Sequence, residues 1–256
     1  MKKFNLLVLL CVFSATSISA IAADVKPKYG PTKTPVATTL AASHEYLQSS
    51  QRAAPDFWAM IGYYAPQITD SACSVASVAA VLNGARAFVA KTADDKLITQ
   101  AALLEKNEEW KARISKEGWG EKKAHGTSLD FLRDLTESAF KANGFLNVEV
   151  KAVHVRDQSP KTLKAVHDAL VENEKSAQDF IIANFNQKNY TDDADAGHIS
   201  PVGAYDAKKK RVLILDTDRD WYEPYWISER AFIEGMNTKD NEKNDYRGFL
   251  VIKLVK

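Results

Sequence analysis

The chain changes its hydrophobic period between its two halves, and that change limits what it can fold into. In the first half, Val75, Val78, Ala79 and Leu82 recur at i, i+3, i+4 and i+7, the stripe of an amphipathic helix. This helix is expected to begin at Cys73, with Asp70 or Ser71 as its cap. A second, more charged helix is expected over Asp95–Ser115 and a third over Thr127–Asn143. In the third, Thr127 and Asp130 have capping-box spacing and Gly144 stands where a helix stops. A fourth is expected over Lys161–Lys175. The second half reads instead as short β-branched or aromatic runs at Val148–Val155, Phe180–Phe185, Ile199–Tyr205, Arg211–Leu215 and Phe249–Val255. Residues 206–210, Asp-Ala-Lys-Lys-Lys, join two of these runs as a hairpin loop. Helices first and strands second give an α+β fold with an antiparallel sheet.

The N-terminus reads as an export leader. Lys2 and Lys3 precede the apolar run Leu6–Phe13, and Ala20-Ile21-Ala22 offers a small-x-small cleavage site. The run is too short to span roughly 30 Å of hydrocarbon. Residues 1–22 are therefore expected to be removed, which places the mature chain in the periplasm or outside the cell and not in the membrane. Residues 23–51 hold Pro27, Pro31 and Pro35 and read as an extended arm, leaving residues 52–256 as the main domain. The whole chain has 34 basic and 33 acidic residues, and loss of Lys2 and Lys3 leaves 32 against 33. A balance so near zero gives no electrostatic footprint for nucleic acid.

Of the two cysteines, Cys11 leaves with the leader, and Cys73 remains without an internal disulfide partner. A helix N-terminus offers unpaired N–H groups and a favourable dipole, both of which favour thiolate. Gln67, six residues earlier, can donate to an oxyanion beside the backbone N–H of Cys73. His198 opens an apolar strand after the polar loop 189–196, and Asp216 ends the next one. If residues 206–210 form a hairpin, His198 and Asp216 lie at the same end of adjacent strands, where a carboxylate can hold an imidazole in one tautomer. Each residue alone has a plainer reading: an inert buried cysteine, a loop glutamine, a surface histidine, a turn aspartate. No histidine and cysteine spacing suggests a metal site.

The segments Gln67-(five)-Cys73-Ser74-Val75-Ala76-Ser77, Val81-Leu82-Asn83, Gly197-His198-Ile199-Ser200-Pro201-Val202-Gly203-Ala204-Tyr205, Leu213-Ile214-Leu215-Asp216, Arg219, Pro224-Tyr225-Trp226 and Arg247-Gly248-Phe249 together resemble the catalytic domain of the phytochelatin synthase family, over roughly residues 52–254. The resemblance implies a papain-like fold, with the nucleophile in a helical half and histidine and aspartate in a sheet half. It implies that Cys73 attacks the Cys–Gly amide of glutathione, releases glycine and carries a γ-glutamylcysteinyl thioester, taken by water or by a second glutathione. His198 would act as base then acid, Asp216 as its orienter and Gln67 as oxyanion donor. Asn184, Arg219 and Arg247 match positions around the γ-glutamyl part of the substrate. No cofactor is implied; heavy-metal ions would act through the substrate thiolate, and the resemblance leaves room for a homodimer.

Three departures bear on the reading. Ser74 replaces the usual glycine and is expected to crowd the oxyanion hole or acyl pocket. Ala72 replaces an aromatic, and no cysteine-rich extension follows Lys256. Ser74 and the short C-terminus favour hydrolysis over phytochelatin synthesis, as in the short bacterial relatives. Two other readings stand beside this one: a peptidase of the double-glycine leader type, and a catalytically retired domain that binds thiol peptides.

Overall fold

The structure, a computed structural model, describes residues 36–50, 52–89, 91–114, 126–192 and 194–255. The expected leader and His125 lie outside the described residues. In chain order the elements are β1 Thr38–Thr39, α1 Pro55–Met60, α2 Cys73–Ala85, α3 Gln100–Glu105, α4 Glu108–Arg113, α5 Leu129–Ala142, β2 Val148–His154, α6 Pro160–Asn173, β3 Asp179–Asn186, α7 Gln187–Thr191, β4 Gly197–Asp206, β5 Arg211–Ile214, β6 Tyr225–Ser228, α8 Glu229–Met236 and β7 Gly248–Leu254. Short 3₁₀ turns follow β1 and α2.

All the strands belong to one antiparallel sheet, ordered β1-β6-β5-β4-β3-β7-β2. The α+β expectation holds, because β-branched runs too short to bury both edges alone pair with one another in sequence-distant order. Each face of the sheet carries its own core. One gathers α1–α5 around Val75, Leu82, Phe140 and Ile182. The other gathers α6–α8 around Val166, Phe185, Tyr205 and Phe232. The β4–β5 register slips between Val202 and Ala204, so Val202 faces the second core and Ala204 the first. Residues 36–50 of the expected arm lie along the sheet edge, where Thr38 and Thr39 pair with Trp226 and Tyr225 and Leu47 is buried.

The helices differ from their sequence expectations in instructive ways. α2 is buried on every side from Ser74 to Ala85, so its apolar stripe understates its burial. Its polar-looking face is built of Ala, Ser and Gly, which let neighbours approach closely; a Cβ on Gly84 would stand 2.7 Å from the Met60 side chain. The single helix expected over Asp95–Ser115 is two short ones: Thr99 caps α3, and Asn107 breaks the run by capping α4, accepting from the Trp110 N–H. The capping box at Thr127 does not form. Ser128 occupies the cap without a side-chain bond, and Asp130 pairs instead with Arg133 at 2.7 Å. At the other end of α5, Gly144 takes φ +93°, and the Gly144 and Phe145 N–H groups close on the Lys141 and Phe140 carbonyls, with the two phenyl rings 5.3 Å apart. The fourth helix begins as expected, with Pro160 in its first turn and Ser159 accepting from the Thr162 N–H.

Candidate active site

Cys73 is the first residue of α2, half-buried, and its thiol lies against the His198 imidazole. The cap position is held by Ala72, not by Asp70 or Ser71, and alanine has no side chain able to cap. Below the thiol, the Ser77 hydroxyl donates to the Cys73 carbonyl at 2.7 Å and contacts the Ile199 carbonyl at 3.0 Å. The helix start is thereby tied to the strand residue that follows His198.

Ser74 does not crowd the site. It is fully buried, and its hydroxyl accepts from the Trp110 indole N–H at 2.9 Å. The side chain points into the α-helical core because α4, absent from the sequence reading as a separate element, brings Trp110 beneath α2.

His198 and Asp216 meet as the hairpin argument requires. Asp206 pairs with Arg211, Val202 with Ile214, and the Leu215 N–H donates to the Pro201 carbonyl. His198 Nε2 is 2.7 Å from Asp216 Oδ1, which leaves Nδ1 as the nitrogen for Cys73. The Phe185 ring meets the imidazole edge-on at 5.5 Å. Burial alone would lower the pKa of this histidine; the Asp216 carboxylate and Cys73 override it and raise it well above the ordinary imidazole range. Asp216 is fully buried. Its Oδ1 also accepts from the Asp218 N–H at 2.9 Å, and its Oδ2 accepts from the Tyr225 hydroxyl at 2.8 Å and the Gln187 amide at 3.4 Å. Asp218 itself is pushed up to about 6, by burial first, with Asp216 adding to the effect and His198 opposing it.

Gln67 sits on a clamped loop. Its N–H donates to the Thr217 carbonyl at 2.9 Å, and Gln100 of α3 bonds the Pro66 carbonyl at 2.8 Å and the Ile68 N–H at 3.1 Å. The Thr217 hydroxyl contacts Gln67 Oε1 at 3.4 Å, at the outer limit of a hydrogen bond.

The other three candidates surround this centre without joining the imidazole–carboxylate pair. The Arg219 guanidinium lies 4.9 Å from the centroid of the Tyr64 ring, whose hydroxyl donates to the Asp216 carbonyl. Arg247 is buried against Gly197, where an added Cβ would stand 2.8 Å from Nη2; its Nη1 bonds Thr238 Oγ1 at 3.1 Å and the Lys239 carbonyl. Burial pushes its pKa down. Asn184 is buried on β3, with its amide donating to the Thr127 carbonyl at 3.2 Å. Among the described residues, one cluster has metal-ligating types in reach of one another: Asp130, His154 and Asp245. Arg133 and Arg156 already pair with its two carboxylates, so it reads as an ion-pair network.

Sequence reasoning did not assign roles to Tyr64, Gln100, Trp110, Gln187 or Thr217. Their polar groups act on residues far away in sequence, and nothing in local spacing marks them. Tyr225 stood only in the family-resembling segment Pro224-Tyr225-Trp226, without a role; a buried phenol needs a partner, but its burial shows only in the fold.

Comparison with known proteins agrees with this architecture. A glutathione gamma-glutamylcysteinyltransferase 1 from Lotus japonicus is 46% identical over 56 residues, 22% of this chain and 11% of the relative. A second from Lotus japonicus, numbered 3, is 40% identical over 60 residues, 23% of this chain and 12% of the relative. The enzyme numbered 1 from Arabidopsis thaliana is 39% identical over 56 residues, 22% of this chain and 12% of the relative. These matches span only a small part of each relative's length. The model of the phytochelatin synthase family matches far more, residues 31–249, and the helical half with the cysteine and the antiparallel half with histidine and aspartate are those of its papain-like catalytic domain. On that match, and with the fold to support it, the chain belongs to the phytochelatin synthase family.

Proposed function

We propose that this chain is an exported cysteine enzyme that cleaves the Cys–Gly amide of glutathione through a γ-glutamylcysteinyl thioester on Cys73. The observation that carries the reading is the line of groups from thiol to imidazole to carboxylate: His198 lies between Cys73 and Asp216, with Nε2 committed to Asp216. An imidazole whose pKa is raised stays protonated at neutral pH and stabilises a thiolate beside it. The thiolate attacks the carbonyl carbon. The oxyanion that forms receives the Cys73 N–H at the helix start and the side-chain NH₂ of Gln67. His198 then gives its proton to the departing glycine nitrogen, takes one from the incoming acceptor, and the thioester is released.

Arg219, over the Tyr64 ring, and Arg247, against Gly197, are the cations assigned to the substrate, and two guanidinium groups suit a substrate with two carboxylates. Water is in vast excess over any thiol peptide, which supports hydrolysis to γ-glutamylcysteine as the main outcome and phytochelatin formation as the lesser one. The turn of Ser74 toward Trp110 removes the steric argument for that balance. Export to the periplasm or beyond rests on residues 1–22.

The direct test is intact mass after mixing with glutathione. An adduct of about 232 Da on Cys73, the mass of a γ-glutamylcysteinyl acyl group, with glycine in solution, supports the proposal. No adduct and no glycine release over hours at millimolar glutathione would sink it. Chromatography of the products with and without Cd²⁺ decides between water and glutathione as acceptor.

A further inference from the structure

The Asp216 carboxylate has two oxygens with different tasks. Oδ1 faces His198 at 2.7 Å, and Oδ2 faces away from it. A carboxylate on a single Cβ–Cγ bond can rotate, and rotation would carry Oδ1 off the imidazole. Rotation is opposed at both oxygens: the Asp218 N–H donates to Oδ1 at 2.9 Å, and the hydroxyl of Tyr225, fully buried on β6, donates to Oδ2 at 2.8 Å. The Gln187 amide approaches the same oxygen and the Tyr225 hydroxyl at 3.4 Å each, which is the outer limit of a hydrogen bond. β6 pairs with β5, the strand that leads into Asp216, so Tyr225 is held in register by Ile214.

We infer that Tyr225 is a positioning residue: its hydroxyl fixes the rotation of Asp216, and Asp216 in turn fixes the imidazole that faces Cys73. The inference rests on the reading of Cys73, His198 and Asp216 given above, and it adds a fourth link to that line. Burial and the neighbouring carboxylate both hold the phenol protonated, so it remains a donor across the working pH range.

The test does not need a substrate. The rate of Cys73 alkylation by iodoacetamide against pH has an alkaline inflection where the imidazolium loses its proton. In Tyr225→Phe, folded by circular dichroism, that inflection is expected to fall by about one pH unit, because the carboxylate turns off the imidazolium; a rise, the sign for a carboxylate that loses a donor and stays in place, would overturn the inference. With glutathione, kcat is expected to fall roughly tenfold with KM unchanged. In the Asp216→Asn background, Tyr225→Phe is expected to add less than about twofold, because its effect passes through the carboxylate. Gln187→Met removes the weaker donor to the same oxygen, and the same pattern at smaller size is expected. It also keeps the test open if Tyr225→Phe does not fold. An unmoved inflection in the folded variants, or equal losses with and without Asp216, would overturn the inference. A shifted inflection in a protein that never cleaves glutathione would support the positioning role and reject the substrate.

Discussion

Among the described residues, Asp216 and Asp56 are the aspartates most shielded from water, and they live by different rules. Asp216, just past the end of β5 beside His198 of β4, receives four donors: His198, the Asp218 N–H, Tyr225 and Gln187. Asp56, on α1 where it meets the end of α6, receives one, the Asn173 amide at 2.7 Å. Its other oxygen has no partner, and neither has the Asn173 carbonyl oxygen. Burial pushes the Asp56 pKa well above the carboxylate range, with Asp179 and Glu174 adding to it and Asn173 opposing. A proton on Asp56 supplies the donor that both orphaned oxygens lack, turning a costly buried charge into a neutral acid–amide pair. The lesson is that donor count decides what a buried carboxyl does: four donors make Asp216 a fixed acceptor, and one donor makes Asp56 a proton holder.

The comparison can be broken at its catalytic end first. Cys73→Ala is expected to reduce turnover of glutathione below detection while leaving the urea midpoint within error, since the alanine keeps the helix start and all four donors on Asp216. Retained glycine release would remove Cys73 from the mechanism. Next in size is Asp216→Asn. An amide cannot accept on both sides, so its NH₂ must face either Tyr225 and Gln187 or His198 and Asp218, donor against donor. A drop in kcat of roughly 10² to 10⁴ is expected, with KM little changed; a variant as active as wild type would show that the four donors tolerate an amide.

The same donor arithmetic applies to the neutral pair beneath the nucleophile. Trp110→Phe leaves the buried Ser74 hydroxyl without its donor and should cost about 1–3 kcal/mol in urea unfolding. Ser74→Gly in that background should recover part of the loss, and equal stability of wild type and Trp110→Phe would count against the contact. The smallest effect is expected at the other aspartate. Asp56→Asn mimics the protonated acid, its NH₂ offered to the Asn173 oxygen. Because the folded pKa of Asp56 is raised, its contribution is fully present below the unfolded value of about 3.9 and is lost as pH rises through the folded one. Asp56→Asn should flatten that decline and add about 1 kcal/mol at neutral pH. A decline as steep as wild type would mean that Asp56 is not its source.

Much of this was legible from residue order alone. The β-branched runs returned β2, β3, β4, β5 and β7 within a residue or two, and the helical spacing returned α2, α5 and α6, because burial on one side writes a period into the chain. The hairpin loop at 206–210 was enough to bring His198 beside Asp216, since antiparallel register follows from loop length. The helices α1, α7 and α8 run at most about two turns, too few for a 3.6-residue period to show, and neither β1 nor β6 stood out as a β-branched run, so these five emerge only when packed, and Asn107 splits one expected helix by capping another.

By itself, then, the sequence determined the α+β order and the meeting of imidazole and carboxylate, since both depend on neighbours along the chain or across one tight turn. The tertiary structure decided what surrounds them. Ser74 turns away from the acyl pocket because Trp110, 36 residues on, holds it. The Gln67 loop is anchored because Thr217, 150 residues on, accepts from the Gln67 N–H at 2.9 Å. Asp216 is immobilised by a tyrosine on a strand that no period announced. Side-chain hydrogen bonds carry no periodicity, and their partners are chosen by which surfaces the packed core brings within about 3 Å.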